Sequence, residues 1–208
     1  MQIPKEEIKR DILAAAEHEF LIRGYQNASL RTVAKKAKTT LGNLYNYFPN
    51  KEAILDAIVG DAPTILGGFV HNHNQFDLKD FDLSEINITN LGPLIDELLP
   101  HLIDINLLLS NVVVILLEGC EGTKYESFKI TIHDLFKEHM IEHLKHDPDD
   151  IFTEVIVQSI ISVIISVAKF PSSKEEKKRA LLKYFHMLFY GLFFGTNFNI
   201  DPHLTQKA

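Results

Sequence analysis

A group of histidines and glutamates near the middle of the chain is a first candidate for chemistry. Three histidines (139, 143 and 146) and two glutamates (138 and 142) fall within residues 138–146. Histidines four residues apart on a helix can chelate a metal ion. The segment ends in the polar run "KHDPDD", so we interpret these side chains as a solvated helix face. The sequence therefore predicts no metal site here.

Two other motifs are weaker still. "DFDLSE", 80–85, resembles the start of a calcium loop, but Glu85 stands where that loop needs glycine and Leu91 where it needs glutamate. Cys120 is flanked by acidic residues rather than by the cations that lower a thiol's pKa. The chain also shows no glycine-rich phosphate loop and no nucleophile elbow. We predict no enzyme, no catalytic residue and no cofactor, and an enzyme stays the alternative from another class.

The remaining candidate is the decapeptide "TTLGNLYNYF", residues 39–48. It carries no charge, although Lys38 precedes it and Lys51 follows it closely. Asparagine can hydrogen-bond adenine, apolar groups contact thymine methyls, and hydroxyls bond to several base edges. We take recognition of DNA as a hypothesis that depends on the elements that position these residues.

Those elements are helices, because apolar residues recur at intervals of three and four and no alternating run indicates a strand. The inner face of the first helix is Ile8, Ile12, Ala15, Ala16 and Phe20. Gly24 is expected to end that helix, and Ser29, Thr40 and Asn50 to cap the next three. The fold class is all-α.

The second and third helices, at 29–36 and 40–46, are separated by only three residues. This spacing is typical of a helix-turn-helix, whose second helix lies in the major groove of DNA. Gly42 would permit a close approach to DNA, although it costs about 1 kcal/mol of helix propensity. The small core beneath is expected to be Phe20, Val33, Leu44 and Phe48.

Further along, Pro63, Gly67 and Gly68 are expected to break or bend the fourth helix, and residues 71–91 to form a loop. Long helices are expected at 93–119, broken near Pro100–Asp104, and then at 124–146, 149–169 and 173–196. Ser173 and Glu176 fit a capping box at the start of the last helix.

Charge divides the chain into two parts. Residues 1–55 carry nine Lys and Arg against six acidic residues, whereas residues 56–208 carry 12 against 22. The apolar stretches 102–117 and 151–168 are interrupted by polar residues and fall short of the roughly 20 apolar positions that span a bilayer. We expect an anion-binding N-terminal end, buried helices, no membrane partner and a cytoplasmic location.

The segment 12–55, "ILAAAEHEFLIRGYQNASLRTVAKKAKTTLGNLYNYFPNKEAIL", resembles the tetracycline-repressor (TetR) family. The resemblance implies an N-terminal helix-turn-helix three-helix DNA-binding domain, 1–50, and a larger C-terminal helical regulatory and dimerisation domain, 51–208. Lys38-Thr39 replaces the usual Gly-Val of the turn, so a positive φ would strain Lys38 mildly. Ala28 replaces a frequent threonine.

The resemblance also implies the DNA contacts. The expected set is Ser29, Arg31, Lys38, Thr40, Leu41, Gly42, Asn43, Tyr45, Tyr47 and Lys51. Thr40, Leu41, Gly42, Asn43 and Tyr45 would face the groove. Tyr47 and Lys51 would contact phosphates, with Lys51 at a helix N-terminus. Tyr45 could instead belong to the core, and Lys35 and Lys36 could be a solvated face.

The C-terminal part is expected to bind a ligand and to dimerise. The ligand-pocket candidates, which could equally fill a core, are Leu98, Leu102, Leu108, Val112, Leu116, Phe128, Ile132 and Phe136. The dimer-interface candidates, for which plain core packing is the alternative, are Ser159, Ser162, Ser166, Phe185, Phe189, Gly191, Leu192 and Gly195.

Together, these features predict a transcriptional regulator that binds double-stranded DNA as a homodimer. The favoured version is a repressor released from a palindromic operator by a small, largely apolar ligand. The alternative is a DNA-binding protein of the same fold that lacks a small-molecule effector and acts through protein partners or as an activator. A real cavity among the apolar helices would separate the two.

Overall fold

The computed structural model describes residues 5–73, 92–93, 104–144 and 151–194, and every regular element that it bounds there is a helix. This confirms the all-α fold class. The helices are α1 Lys5–Asn27, α2 Leu30–Lys36, α3 Leu41–Tyr47, α4 Lys51–Val59, α5 Ala62–His73, α6 Ile105–Leu108, α7 Asn111–Glu118, α8 Phe128–Leu144, α9 Ile151–Lys169 and α10 Lys174–Phe194.

The starts of the three short helices follow the predicted caps. Ser29 Oγ accepts a hydrogen bond from the Thr32 amide at 3.4 Å, and Thr40 Oγ1 accepts one from the Asn43 amide at 3.1 Å. Asn50 caps α4 in the same way. Each cap satisfies an amide that the first helical turn leaves unpaired, which lets helices of seven to nine residues begin at a defined position.

Gly24, where the sequence predicts the end of the first helix, instead forms a kink within α1. Its φ of 69° and ψ of 167° are non-helical, in a region that favours glycine, and the helix resumes only for its last turn to Asn27. The bend frees the Tyr25 amide, which donates to the carbonyl of Gly119 at 2.7 Å. The end of α1 is thereby joined to the segment that follows α7.

The expectation that Pro63, Gly67 and Gly68 break the fourth helix is wrong. α4 ends earlier, at Val59, and is followed by Gly60, whose φ of 50° is in a range that favours glycine. Pro63 instead lies in the first turn of α5, where no intrahelical amide bond is lost, and both glycines lie inside that helix. Of the expected loop 71–91, residues 71–73 belong to α5 and the rest lies outside the described residues.

The long helix expected at 93–119 is also divided differently. Asp104 caps α6, and Ser110, whose Oγ accepts from the Val113 amide at 3.4 Å, starts α7 separately. The helix expected from 124 begins only at Phe128, because Thr123 Oγ1 bonds to the Cys120 carbonyl and the Tyr125 amide and holds a turn there. Pro100 lies outside the described residues.

Two apolar cores organise the described chain. The first joins α1–α4 to α7, and its members include Phe20, Val33, Leu44 and Phe48, as predicted. Ile115 and Leu116 of α7 complete it from the C-terminal part. The second core lies among α6–α10. α7 therefore belongs to both cores and connects them.

α9, of 19 residues, is long and apolar enough to cross a membrane by length and composition alone. A core helix of a soluble protein meets the same criterion. In the structure, α9 packs against α7, α8 and α10. Its inward face is buried at Thr153, Val157, Ile160, Ile161, Ile164, Ile165 and Ala168.

Candidate nucleic-acid interface

The turn between α2 and α3 places the two short helices as the spacing predicts. Ala37 donates its amide to the Val33 carbonyl, and Thr39 donates to the Ala34 carbonyl, both at 2.9 Å. Lys38 between them has a φ of 52°, so the positive φ expected from the family's usual glycine is present on a lysine. That conformation is strained for a side chain with a Cβ, and the turn bonds on either side hold it.

The surface of α3 is polar but uncharged, and it is largely open. Thr40, Gly42 and Asn46 are exposed, and Tyr45 retains 48% of its surface. A Cβ added at Gly42 would meet nothing within 4 Å, so packing within the chain does not require glycine at this position. The alternative that Tyr45 is a core residue is not favoured by this exposure.

The amide of Asn43 is held inside the helix-turn-helix. Its Nδ2 donates to Thr39 Oγ1 at 2.8 Å, and its Oδ1 accepts from Asn46 Nδ2 at 3.3 Å. Asn43 is therefore partly buried and oriented before any partner arrives. Base recognition by this amide would use the second hydrogen of Nδ2 or the second lone pair of Oδ1.

The other expected DNA contacts surround α3. Arg31 and Lys38 are exposed, while Ser29, Leu41 and Tyr47 are partly buried. Leu44 and Phe48 are buried beneath them. Three members of the predicted set also have roles inside the chain: Ser29 and Thr40 cap helices, and Tyr47 packs against the first core.

Lys51 is engaged within the chain. Its Nζ donates to the carbonyls of Gln26 at 3.1 Å and Ala28 at 3.0 Å, and it lies 4.6 Å from the centre of the Tyr25 ring. Partial burial lowers the pKa of Lys51. These contacts tie the start of α4 to the end of α1. Its contact with phosphate remains a prediction.

A polar cluster that sequence reasoning missed joins α4 to the segment before α8. We call Asp56, Lys124 and Tyr125 the Asp56 cluster. Asp56 accepts from Lys124 Nζ and from Tyr125 Oη, each at 2.9 Å. The bond from Lys124, followed by that from Tyr125, lowers the pKa of Asp56 against the opposing effect of burial. Because the partners lie nearly 70 residues apart in the chain, no local pattern signals the pair.

The predicted pocket residues divide between the two cores. Leu108, Ile132 and Phe136 belong to the second core, whereas Val112 and Leu116 pack against the first. Phe128 touches both. The structure therefore does not bring the set together around one space, since α7 directs Val112 and Leu116 toward α1–α4. Leu98 and Leu102 lie outside the described residues.

The predicted dimer residues also separate. Ser162, Ser166 and Gly191 are exposed, and Ser159 is partly buried with its hydroxyl 2.9 Å from that of Tyr184. The prediction that Phe185 lies in the dimer interface is corrected by its burial. Phe185 is only 4% exposed, packs in the chain's own core and offers little surface to a partner.

Phe189 is half-buried against the same core as Phe185. The side chain of Leu192 and all of Gly195 lie outside the described residues. Sequence reasoning missed two exposed apolar residues, Val155 at 54% and Met187 at 67%. Val155 lies seven residues before Ser162, and Met187 lies four residues before Gly191. This helical spacing could have indicated from the sequence that they share a face with the predicted interface residues.

The residues first considered for chemistry show no reactive arrangement where the structure describes them. Burial raises the pKa of Cys120 to about 11, against a smaller opposing effect of its bond to Thr123, so the thiolate is disfavoured. Within the described ranges no group of three His, Cys, Asp or Glu side chains is placed to hold a metal ion. The side chain of His143 and all of His146 lie outside those ranges.

Residues 12–58 match the family described as bacterial regulatory proteins, tetR family. The chain is also 38% identical over 55 residues to an uncharacterized HTH-type transcriptional regulator, YdgC, of Bacillus subtilis (strain 168), covering 26% of this chain and 28% of that protein. The match thus spans under a third of the curated relative.

Among solved structures, a tetR-family transcriptional regulator from Streptomyces coelicolor is similar at 17% identity and a TM-score of 0.43, covering 91% of this chain and 82% of that one. The fatty acid degradation regulator FadR from Bacillus halodurans is similar at 20% identity and a TM-score of 0.43, covering 89% and 98%. At these values both are distant likenesses. The similarity of this chain to the tetR family of bacterial regulatory proteins therefore lies in residues 12–58.

Proposed function

We propose that this protein is a transcriptional regulator that binds DNA through α2, the turn and α3. The observation that carries the proposal is the exposed, uncharged surface of α3 with an open Gly42 at its start. Arg31 and Lys38 lie exposed beside it and supply the cations that phosphates need. Thr40 and Asn43 supply hydroxyl and amide groups for base edges.

The proposed assembly is a homodimer on a palindromic operator. Val155, Ser162 and Ser166 recur at seven and four residues on the outer side of α9, and Met187 and Gly191 are four apart on α10. This outer face, which we call the α9–α10 face, combines exposed apolar side chains with small residues that permit close helix approach. A two-fold pair of helix-turn-helix units matches two half-sites about one turn of DNA apart.

The proposed regulation is release from the operator by a small, largely apolar ligand bound among the C-terminal helices. α7 supplies residues to both cores, and the Asp56 cluster and the Tyr25–Gly119 bond attach its following segment to α4 and α1. A ligand that displaced α7 would therefore move the DNA-binding helices. In this proposal, residues 1–50 recognise DNA, and residues 51–208 regulate and dimerise. α4, at the start of the second part, packs against both α1 and α7.

The test is selection of DNA from a pool of random-sequence duplexes by the full chain. We expect enrichment of a two-fold symmetric site, with binding that weakens as salt rises. Recovery of all sequences alike, with a uniform loss in every α3 variant, would contradict sequence-specific regulation.

A second experiment addresses the ligand. Thermal unfolding of the full chain is followed with a panel of apolar compounds, and a compound that raises Tm is then expected to release the selected duplex. A panel that shifts Tm without affecting DNA would instead support the alternative of an effector-independent regulator.

A further inference from the structure

Glu19 on α1 places a carboxylate in the first core. Its side chain is only 2% exposed, and its Oε2 lies 3.2 Å from Lys36 Nζ on α2. Its Oε1 lies 3.2 Å from Arg23 Nε, but that N–H is not directed at it, and Oε1 accepts no hydrogen bond from the described residues. A buried charge is costly unless it is paired, so Glu19 depends on Lys36 for its one directed bond to a cation.

Lys36 is in turn held by α1. Besides Glu19, its Nζ lies 3.1 Å from His18 Nδ1, and because an ammonium group only donates, His18 must accept there. The Lys36 side chain is 40% exposed, yet its charged end is directed at α1 by both bonds. Its neighbour Lys35 is exposed and has no such bond among the described residues. Lys36 is therefore held against α1 by its side chain, whereas Lys35 is a surface lysine.

The pair lies where it can set the direction of α3. Lys36 is the last residue of α2, and α3 begins at Leu41 after the turn. Within that turn, Lys38 has a positive φ and the Ala37 and Thr39 amides are bonded back to α2. Few dihedral angles are free between Lys36 and α3, so the position of Lys36 on α1 is transmitted to the recognition helix.

We propose that the Glu19–Lys36 ion pair is a positioning element for the recognition helix. It fixes the end of α2 on α1 and thereby the angle at which α3 meets the bases. Lys36 acts on sequence discrimination and not through a phosphate. Buried ion pairs often add little stability over apolar side chains of the same size but can fix one arrangement. This inference rests on the proposed function for its effect on DNA, while its effect on the turn does not.

The experiment compares Lys36→Met with the matched control Lys35→Met in the full chain. The probes are a duplex selected from random-sequence DNA by the unaltered protein and a scrambled duplex of the same composition. Lys36→Met is expected to lower the ratio of the two affinities about tenfold, with the salt dependence unchanged. Lys35→Met should leave the ratio intact. A salt slope reduced by about 1 in Lys36→Met, with an intact ratio, would make Lys36 a phosphate contact and overturn the inference.

A double variant, Glu19→Leu with Lys36→Met, guards against simple unfolding. Replacing both charges leaves no buried carboxylate, so its urea midpoint is expected to be no lower than that of the unaltered chain. Its affinity ratio should nevertheless stay about tenfold low, since the fixed position is lost. A stable double variant with the original ratio would show that the pair only fills space.

Hydrogen exchange separates this inference from the proposed function. If the unaltered protein selects no duplex, DNA recognition is refuted, but the amides of residues 37–39 still report on positioning. Faster exchange there in the double variant than in Lys35→Met would support the inference that the ion pair fixes the end of α2 on α1. Equal exchange in the two variants would refute it.

Discussion

At the scale of single residues, Gly42 combines a local cost with an open environment. Glycine inside a helix is unfavourable, and nothing in the chain approaches the position where its Cβ would be. Packing therefore gives no reason for glycine on α3. Close approach of DNA would explain the glycine. In that case, substitution of Gly42 by alanine should increase stability but weaken DNA binding.

Gly42→Ala is expected to raise the free energy of unfolding by up to about 1 kcal/mol, because alanine favours the helix. Affinity for the selected duplex should fall, since the added methyl group would stand on the surface proposed to face DNA. Urea denaturation and a binding titration measure the two effects. Gly67→Ala on α5 is the matched control: its Cβ would also meet nothing within 4 Å, so it should stabilise without weakening DNA binding. Unchanged affinity in Gly42→Ala would contradict the proposed surface.

Asn43→Ala is expected to relax sequence preference at one base position by about tenfold, because it removes the amide that would bond to adenine. The bond to Thr39 is lost as well, so stability should fall by about 1 kcal/mol. Selection from random-sequence DNA measures the preference. Asn46→Ala is the control, since it leaves the Asn43–Thr39 bond in place. Identical site preferences in the unaltered protein and Asn43→Ala would exclude a base contact.

At the scale of elements, hydrogen-bonded caps decide where helices begin. The predicted capping box at the start of α10 is confirmed: Glu176 Oε2 accepts from the Ser173 amide at 3.0 Å and from Ser173 Oγ at 2.7 Å, and Ser173 Oγ accepts from the Glu176 amide at 3.3 Å. The Ser173 bonds, with a further one from Ser172, lower the pKa of Glu176. Such a carboxylate links helix stability to pH.

A carboxylate whose pKa is lowered on folding stabilises the fold above its ordinary value, 4.5 for glutamate, and loses that contribution as pH falls through its folded value. Glu176→Gln is therefore expected to lower the urea midpoint at pH 7 and to lower it less at a pH well below 4.5. Glu175→Gln, one residue away, is the control. A loss in Glu176→Gln that is equal at both pH values would show that the charge is not involved.

At the scale of the whole molecule, the proposal assigns separate roles to α7 and to the α9–α10 face. α7 and its following segment hold the N-terminal helices to the rest of the chain through the shared core and the Asp56 cluster. The α9–α10 face points away from the second core and exposes Val155 and Met187. One region would transmit a ligand's effect, and the other would join two subunits.

Met187→Asp is expected to weaken dimerisation about tenfold or more, because a charge would be buried against the partner. Light scattering or sedimentation at micromolar concentration measures the assembly. Ile130→Asp on α8, which also replaces an exposed apolar residue, is the control and should stay dimeric. An unaltered chain that is monomeric under these conditions would remove the dimer from the proposal.

The sequence alone determined the features that depend on neighbouring residues. Helical periodicity, the caps at Ser29, Thr40 and Asn50, and the capping box at Ser173 all depend on residues that are close together in the chain, so they can be predicted from the sequence. At Gly24 the sequence predicted the interruption of the helix but not that the helix resumes after it. The helix-turn-helix and its uncharged third helix were predicted for the same reason. The expected break at Pro63 failed because proline is equally suited to the first turn of a new helix.

Only the tertiary structure decided which residues meet across the chain. It placed Lys36 on buried Glu19, Lys51 on the end of α1, and Asp56 on Lys124. It also buried Phe185 in the chain's own core. Such pairings depend on how helices pack, and an apolar or charged residue has the same local pattern whether it meets its own chain, a second subunit or DNA. That is why the helix-turn-helix could be predicted from the sequence, whereas the Glu19–Lys36 ion pair could not.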